Sequence, residues 1–433
     1  MSNSFSRRNF IKASAAVSLA AMTSHMNKAF AAGSDKLRLG LVGCGGRGTG
    51  AVGDCIKSSE NVEIYALADL FPDKIKSTLK LMKEGNKWVQ KVDDPAKINV
   101  SQERCFSGFD AFQKLIDLDE IDVVILATPP GFRPQHFDAA IKAGKHVFME
   151  KPVAVDPVGV RAVIKTAELA DQKKLCVVAG TQRRHQKHYL DIMKRIHDGQ
   201  IGQIVAAQCY WNGGGMLNWG PKTNPEWTEM ETQCRRWYFY DWICGDHIVE
   251  QHVHNLDVVN WAFNQTPVKC MGMGGRQVRT APEYGNIFDH FAVEFEYENG
   301  VRTLSECRQM DGTTQNVSER IVGTKGVAYL DGGTGRIEGQ KPYTPEYTSP
   351  NPYVQEHEDL IKAIRSNNHI NEAKRVAESC MNAIMGRMST YTGRALSWKW
   401  AMNASKLDLS PEKYEFGPNP VNPVPTPGKT QLV

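Results

Sequence analysis

The sequence predicts an α/β protein in which a doubly wound parallel sheet precedes an α+β domain with a mainly antiparallel sheet. From residue 36 to residue 180, continuous apolar runs alternate with helix-like segments, and the first run leads into a glycine-rich turn. Beyond residue 200 the runs alternate apolar and polar residues, with Glu-Asn-Gly and Asp-Gly-Gly turns. Strands that are apolar throughout are typical of parallel sheets covered by helices, whereas alternating strands with tight turns are typical of antiparallel pairing.

The first residues have the organisation of an export signal. Arg7 and Arg8 stand before a short apolar run, Ala13 to Met22, and residues 29–31 read Ala-Phe-Ala, a small-residue cleavage pattern. This arrangement is typical of a twin-arginine signal peptide, which sends a folded protein to the periplasm. The apolar run is too short to span a bilayer and no later stretch qualifies, so we expect a periplasmic protein without a membrane span. The signal holds four basic residues and no acidic one, so it accounts for the whole net charge of +4. The charge therefore does not indicate nucleic-acid binding.

Length and pattern divide the chain into a signal, two domains and a tail. We expect the signal at residues 1–31, a nucleotide-binding domain at 32–180, a substrate and oligomerisation domain at 181–415, and a Pro-rich tail at 416–433. Two closing helices after residue 350 should return toward the first domain, and the tail should lie as an extended strap on the surface. The ten cysteines stand singly, without C-x-x-C spacing, so we expect mostly buried free thiols.

A dinucleotide site is predicted at the end of the first strand. Gly43-Cys44-Gly45-Gly46-Arg47-Gly48 satisfies G-x-G-x-x-G between a strand and a helix, and Asp69 ends the next strand. The glycines allow the backbone to approach a pyrophosphate at a helix N-terminus, where unpaired N–H groups favour an anion. Asp69 can accept hydrogen bonds from ribose hydroxyls and would repel a 2′-phosphate. The pattern therefore predicts a Rossmann domain that binds NAD rather than NADP through Gly43, Gly45, Gly46, Arg47, Gly48 and Asp69.

Three segments give the sequence a more specific resemblance. "GLVGCGGRGTG", "ILATPP" and "HVFMEKPV" together resemble the Gfo/Idh/MocA family of sugar and inositol oxidoreductases, and the resemblance extends over nearly the whole mature chain. It implies that Thr128 and Pro129 line the nicotinamide pocket. It also implies that Glu150-Lys151-Pro152 is the family's E-K-P motif, with Lys151 near the nicotinamide and a substrate hydroxyl. A homo-oligomer, dimer or tetramer, assembled through the outer face of the antiparallel sheet is a further implication.

A second group of titratable residues lies in "GDHIVEQHVHNLDVVNW", which the pattern predicts to be one helix with Asp246 as its N-cap. At about 100° per residue, one stripe of this helix holds four polar residues: His247, Glu250, His254 and Asp257. His252 points with the apolar residues and is interpreted as a structural histidine. The family has D-x-x-x-H here and this chain has Glu250-x-x-x-His254, so the resemblance implies that His254 is the catalytic histidine.

Chemistry favours the same roles. Oxidation of a sugar hydroxyl needs a base for the proton while hydride leaves the same carbon, and an imidazole with an ordinary pKa of about 6.5 suits that task. Lysine starts at about 10.4, so Lys151 is predicted to polarise the reacting oxygen, with the opposite assignment left open. Glu250 completes the catalytic group. A metal site formed by His247, Glu250 and His254 is the competing interpretation, but a sugar-binding face explains the stripe as well, and we expect no metal.

Loops rich in arginine and aromatic residues are predicted to form the substrate surface. "QRRHQKHY" follows the last strand of the first domain and places Arg183, Arg184 and His185 at the mouth of the crevice. Two later loops and the polar stripe add Trp211, Trp219, Arg236, Trp237, Tyr238 and His247. Aromatic faces flanked by amide and guanidinium groups suit a carbohydrate, because ring faces stack and hydroxyls find hydrogen-bond partners.

These features predict an exported NAD-dependent oxidoreductase that acts on a hydroxyl of a sugar or glycoside, with C3 as the expected position. Outside the cytoplasm the cofactor cannot be replaced, so we expect it to be held tightly and its hydride to be returned in place. Two alternatives stay open. One is a redox-neutral NAD-dependent glycosidase, which oxidises, eliminates, adds water and re-reduces. The other is a protein that only binds sugar and NAD as a sensor.

Overall fold

The computed structural model describes residues 36–87, 89–216 and 222–433, so the predicted export signal lies outside the described residues. The first domain contains strands β1 (Leu37–Val42), β2 (Val62–Asp69), β3 (Cys105–Ser107), β4 (Val123–Leu126), β5 (His146–Met149) and β6 (Val177–Ala179). They form a parallel sheet in the order β3-β2-β1-β4-β5-β6. The strand order reverses beside β1, and an open α/β sheet binds its ligands at such a point.

Helices surround this sheet because its strands are apolar on both faces. They are α1 (Gly46–Ser58), α2 (Pro72–Glu84), α3 (Ala111–Ile116), α4 (Arg133–Lys142) and α5 (Pro157–Lys173). All four residues of β4 are buried, and so are the first three of β2, which confirms the pattern expected of strands covered from two sides. Local signals start the helices: Pro72 stands at the first turn of α2, and the Asp156 carboxylate caps α5 by accepting from the Gly159 amide.

The second domain is built on an eight-stranded sheet. Its strands are β7 (Ile204–Gly213), β8 (Lys269–Gly275), β9 (His290–Glu296), β10 (Arg302–Gln309), β11 (Asn316–Gly323), β12 (Gly326–Asp331), β13 (Gly335–Gly339) and β14 (Leu396–Ser397). They lie in the order β13-β12-β11-β7-β10-β9-β8-β14. Every neighbouring pair is antiparallel except β7 and β10, which run parallel. The predicted fold class, a parallel sheet followed by a mainly antiparallel one, is confirmed.

The remaining helices are α6 (Lys187–His197), α7 (Glu229–Arg235), α8 (Asp241–Cys244), α9 (His247–Glu250), α10 (Val253–Phe263), α11 (Pro352–Arg365), α12 (Ala373–Thr392) and α13 (Trp398–Asn403). The closing helix α11 packs on α1, and α12 packs on α5 as well as on β8. Both closing helices therefore contact helices of the first domain. No helix in the described ranges is both long and apolar enough to cross a bilayer.

The tail after α13 contains no helix or strand and runs along both domains. Phe416 stacks on Phe71 of the first domain and lies 5.1 Å, centroid to centroid, from Phe109. The Gly417 carbonyl accepts from the Met230 amide of the second domain. The cysteines agree with the sequence prediction: all ten are free, and all but Cys105 are buried.

Candidate active site

The glycine loop leaves its backbone open at one edge and closely packed at the other. Gly43 adopts a φ of +103°, and a Cβ there would overlap the backbone of Thr128, while a Cβ on Gly48 would overlap the Gly43 carbonyl. These two glycines are needed for the turn and for the close approach of α1 to β1. Around Gly45 and Gly46, in contrast, nothing lies within 4 Å of a Cβ position. The loop therefore presents bare backbone at the N-terminus of α1, as a pyrophosphate requires.

Asp69 is held beside this loop by backbone amides. Its Oδ2 accepts from the Cys44 amide at 2.7 Å, and its Oδ1 accepts from the Phe71 amide at 2.9 Å. Burial raises the pKa of Asp69 to about 6, against the effect of these two hydrogen bonds. At neutral pH the group is a fixed carboxylate, so it can accept hydrogen bonds from a ribose.

A cavity of about 560 Å³ extends from the glycine loop to the second domain. Every residue that the sequence assigned to the cofactor or to catalysis lines this cavity: Gly43, Gly45, Gly46, Arg47, Gly48, Asp69, Thr128, Pro129, Glu150, Lys151, Glu250 and His254. The fold thus brings together residues that are separated by more than two hundred positions in the chain. Their individual roles stay predictions.

Arg47 is held over the loop by carboxylates. Its guanidinium pairs with Glu150 of the E-K-P segment and, at 3.3 Å, with Glu356 of α11. It also lies 4.7 Å from the ring centroid of Tyr353. The carboxylate of Glu150 occupies the space where a side chain at Gly180 would stand, so that glycine makes room for it. These contacts couple the glycine loop to both β5 and α11.

Lys151 and Glu250 form a buried pair at the far end of the cavity. Lys151 Nζ donates to the Glu250 carbonyl oxygen at 2.5 Å and lies 3.3 Å from Glu250 Oε1, and both side chains are about 10% exposed. Glu250 Oε2 is buried and has no hydrogen-bond partner in the described part of the chain. Burial raises the pKa of Glu250 to about 7, although the ammonium of Lys151 opposes this shift. The carboxyl group therefore exchanges its proton near neutral pH.

His254 faces the same space from α10. It is 7% exposed, and its ring is nearly parallel to that of Trp211 with centroids 5.8 Å apart. Burial lowers the pKa of His254 well below its ordinary value, and the charges of Lys151 and Arg183 act in the same direction. The imidazole is consequently neutral at neutral pH, the state in which it can accept a proton.

The predicted single helix is two helices, and the break changes which residues share a face. Asp246 is the N-cap, as predicted, and its carboxylate accepts from the His247 amide at 2.6 Å. The helix stops at Glu250 because the His252 amide bonds to the carbonyl of His247, one residue further back than an α-helix requires. Glu250 and His254 reach the cavity, whereas the other two stripe members do not.

The residues that turn away have partners elsewhere. His247 is fully buried, with Nδ1 3.2 Å from Asp246 Oδ1, and it does not line the cavity to which the substrate prediction assigned it. His252 is a structural histidine, as predicted, whose Nε2 lies 2.8 Å from Ser305 Oγ. The competing metal interpretation needs His247 beside Glu250 and His254. Within the described ranges, no group of three or more His, Cys, Asp or Glu residues is arranged to hold a metal ion.

The basic segment after β6 forms ion pairs instead of a free surface. Arg183 is buried and pairs with Glu319 at 2.5 Å. Arg184 pairs with Asp257 through two hydrogen bonds of 2.7 and 3.0 Å. Neither arginine lines the cavity that holds His254, although Arg183 lines a second cavity beside it.

His185 lies between two carboxylates, 2.6 Å from Asp359 and 3.6 Å from Glu372. Despite the opposing effect of burial, these two carboxylates raise the pKa of His185 to about 10, so the imidazole is charged. It too lies outside the lining of the main cavity.

Of the residues predicted in the two aromatic loops, some line the main cavity and others do not. Arg236 donates to the Glu283 carbonyl and Tyr238 accepts from Gln309, and both are buried away from the main cavity, which Trp237 lines. Trp211 also lines it, from β7 rather than from the predicted loop. Trp219 lies outside the described residues. Many further lining residues had no role assigned from the sequence, among them Gln182, Gln251, Tyr353 and Tyr414. Gln182 and Gln251 stand next to assigned residues, Arg183 and Glu250, whereas the two tyrosines had no local signal.

Comparisons with known proteins agree with this geometry. Residues 37–181 match the family model described as an oxidoreductase family with an NAD-binding Rossmann fold, and residues 189–329 match the Gfo/Idh/MocA C-terminal domain model. The chain is 27% identical over 256 residues to 2,7-anhydro-N-acetylneuraminate hydratase of Escherichia coli, a match that covers 56% of this chain and 61% of that relative. It is 22% identical to an inositol 2-dehydrogenase/D-chiro-inositol 3-dehydrogenase of Lactiplantibacillus plantarum, over 68% of this chain and 71% of that one.

Among solved structures, the aldose-aldose oxidoreductase of Caulobacter crescentus, crystallised with glycerol, has a similar fold. Its TM-score is 0.65 at 17% sequence identity, and the match covers 84% of this chain and 99% of that one. The two family models match this chain in sequence, and the solved structure matches it in the arrangement of both sheets.

Proposed function

Because the chain belongs to the Gfo/Idh/MocA family of NAD-binding oxidoreductases, we propose that it transfers hydride between NAD and a hydroxyl-bearing carbon of a sugar or glycoside. One observation carries the proposal. The amine of Lys151, the carboxyl of Glu250 and the imidazole of His254 converge on the cavity that begins at the glycine loop. The relatives are named for an inositol and for an N-acetylneuraminate derivative, and the structural neighbour for aldoses, which supports a substrate rich in hydroxyls.

The residues around the first half of the cavity fit NAD. The backbone of Gly45 and Gly46 would hold the pyrophosphate, and the carboxylate of Asp69 would accept from the adenosine ribose and repel the phosphate of NADP. Thr128 and Pro129 would border the nicotinamide. When bound there, NAD supplies hydride transfer, and the protein supplies position and proton chemistry.

His254 accepts the hydroxyl proton in this proposal, because its imidazole is neutral and lines the cavity beside Lys151. Lys151 donates a hydrogen bond to the reacting oxygen, with its ammonium held by Glu250. Glu250, with a pKa of about 7, can take up or release a proton next to this pair. Burial of all three side chains strengthens their electrostatic interactions relative to water.

The decisive test uses purified full-length protein supplied with NAD and a panel of sugars and glycosides, including derivatives blocked at C3. The proposal expects a rise in the near-ultraviolet absorbance of reduced nicotinamide, and loss of that rise when the C3 hydroxyl is blocked. His254→Asn and Lys151→Met variants separate the roles. Glu250 titrates near pH 7 in every variant, so the test of His254 lies at lower pH. If His254 is the base, a further loss of activity below that range should be absent from His254→Asn and present in Lys151→Met. If sugar binds but no nicotinamide is reduced, the protein is a sensor that only binds sugar and NAD.

A redox-neutral glycosidase is the second candidate, favoured by the similarity to a hydratase, a relative whose name denotes addition of water. In that cycle the ketone formed by oxidation acidifies the neighbouring C–H, elimination expels the aglycone, water adds, and the same nicotinamide returns its hydride. Release of aglycone without net nicotinamide reduction would select this candidate over the dehydrogenase.

We propose further that the protein is exported to the periplasm with its cofactor bound. At a Kd of about 1 nM and an association rate of about 10⁶ M⁻¹s⁻¹, a nucleotide would leave in roughly a quarter of an hour, so a longer retention needs an additional barrier. The contacts of Phe416 with Phe71 and Phe109, two residues of the cavity wall, support such a barrier. Mass spectrometry of denatured periplasmic protein, purified without added nucleotide, should detect NAD.

The outer face of the second sheet is proposed as the homo-oligomer interface. Met271, Met273 and Leu304 are exposed there, and Met273 is 73% exposed. Apolar side chains clustered on one sheet face support burial by another copy. Light scattering should report a dimer or tetramer, and Met273→Asp should shift it toward the monomer.

A further inference from the structure

A second cavity, of about 700 Å³, lies directly beside the first. The two cavities share three wall residues, Gln182, Trp211 and Tyr353. The second cavity is lined on its other sides by residues 332–335, from the turn after β12 to the start of β13, and by the segment 345–353. Its volume is in the range of sites for a small organic ligand, about 300–1,000 Å³.

The lining of this cavity suits a neutral, hydroxyl-rich ligand. In the described part of the chain, Arg183 is its one formally charged lining side chain, and the carboxylate of Glu319 compensates that charge at 2.5 Å. His188 has hydrogen-bond partners at both ring nitrogens, and burial lowers its pKa, so it adds no charge. A phosphate or carboxylate ligand would find no free cation here, whereas a sugar would find aromatic rings and polar groups.

One polar atom on the shared wall has no partner. The Gln182 carboxamide donates weakly to the Tyr353 hydroxyl at 3.4 Å, but its Oε1 is buried and accepts no hydrogen bond from any described residue. A buried acceptor without a donor costs free energy, and a ligand hydroxyl would supply the missing donor. The unsatisfied group therefore stands where the two cavities meet.

Trp211 stands in the wall of both cavities. Its indole ring lies nearly parallel to the His254 ring, with centroids 5.8 Å apart, and the Arg183 guanidinium lies 5.8 Å from the indole. A molecule that reaches from the His254 side to the Arg183 side passes this indole. Such a molecule must be longer than a single sugar ring, because one ring would fill only the space beside His254.

We propose that the second cavity binds the second ring of the substrate, so that the preferred substrate is a neutral glycoside with a ring-sized aglycone, such as a disaccharide, rather than a free monosaccharide. The assignment of the reacting ring to the His254 side rests on the proposed function. The existence of the subsite rests on the cavity itself.

Gly332 offers a way to fill the second cavity without touching the catalytic group. It lines the cavity, nothing lies within 4 Å of the position of a Cβ, and its φ is outside the left-handed region. Gly332→Trp should place an indole in the cavity, and Gly332→Ala is the matched control that adds only a methyl group. Both variants should fold as the natural chain does, which circular dichroism checks.

Calorimetric binding should be measured with methyl glucoside and methyl galactoside, and with cellobiose, maltose and lactose. We expect at least one disaccharide to bind the natural chain tenfold or more tightly than the methyl glycosides. Gly332→Trp should abolish that advantage and leave methyl glycoside binding unchanged, and Gly332→Ala should bind all ligands as the natural chain does. Disaccharides that bind no better than methyl glycosides, or equally well to Gly332→Trp, would overturn the subsite.

Activity distinguishes this inference from the proposed function. If Gly332→Trp loses disaccharide binding but no saccharide reduces NAD, the subsite stands and the oxidoreductase proposal fails. If methyl glycosides and disaccharides are oxidised with equal kcat/KM by both the natural chain and Gly332→Trp, the oxidoreductase proposal stands and the subsite is refuted.

Discussion

Replacing Glu250 with glutamine should make the stability of the protein less dependent on pH. The pKa of Glu250 rises from 4.5 to about 7 in the folded chain, so the folded state holds this proton more tightly than the unfolded state does. The resulting stabilisation is present near the unfolded pKa and is lost as the pH rises through about 7. At about 1.4 kcal/mol per pKa unit, the natural chain should lose about 2 to 3 kcal/mol between about pH 5 and about pH 8 through this group.

Glu250→Gln removes the titration while keeping the shape of the side chain and the backbone carbonyl that accepts from Lys151. Urea unfolding, followed by tryptophan fluorescence at several pH values, measures the effect. The stability of the variant relative to the natural chain should rise by about 2 to 3 kcal/mol from about pH 5 to about pH 8. The exposed Glu84→Gln is the control and should follow the natural curve. A difference between Glu250→Gln and the natural chain that does not change with pH would refute the assigned shift.

Three other outcomes test the site. His254→Asn should lower kcat by about 10²- to 10⁴-fold with little change in NAD affinity by calorimetry, and unchanged kcat would remove His254 from catalysis. Gly48→Ala should weaken NAD binding at least about tenfold because its Cβ overlaps the Gly43 carbonyl, and Gly53→Ala, in the same helix with no atom closer than 3.9 Å to its Cβ, is the control. Phe416→Ala should release bound nucleotide faster in a dilution chase because it removes the ring contacts with Phe71; an unchanged release rate would contradict a role for the tail in retention.

The sequence was informative where a feature is local. The parallel sheet follows from apolar runs, and the cofactor half of the site follows from a glycine motif whose members are neighbours in the chain. The ion pairs of Arg183 and Arg184 could not be predicted, because their carboxylate partners, Glu319 and Asp257, lie 136 and 73 residues away in the sequence. The break after Glu250 escaped prediction for a different reason. It depends on a single shifted backbone hydrogen bond, which helical periodicity does not encode.

The second cavity shows the same limit. Its walls combine the residues after β6, a hairpin turn and the loop before α11, and of these three only the first held residues that the sequence assigned to the substrate, Arg183 among them. Only tertiary structure brings Gln182 and Tyr353 together. Sequence periodicity identifies elements, but the recognition of a substrate depends on loops that meet from distant parts of the chain.

The buried cysteine thiols determine how the protein is inactivated by heat. While the chain is folded, oxidants reach few of its sulfur atoms, since nine of ten cysteines are buried. Global unfolding exposes the whole set at once, and in air these groups can join in many wrong pairings before the chain recovers its native form. Heat damage should therefore be permanent in oxidising buffer and largely reversible in the presence of dithiothreitol. In an oxidising surrounding, the lifetime of the protein is governed by its rate of unfolding rather than by its equilibrium stability.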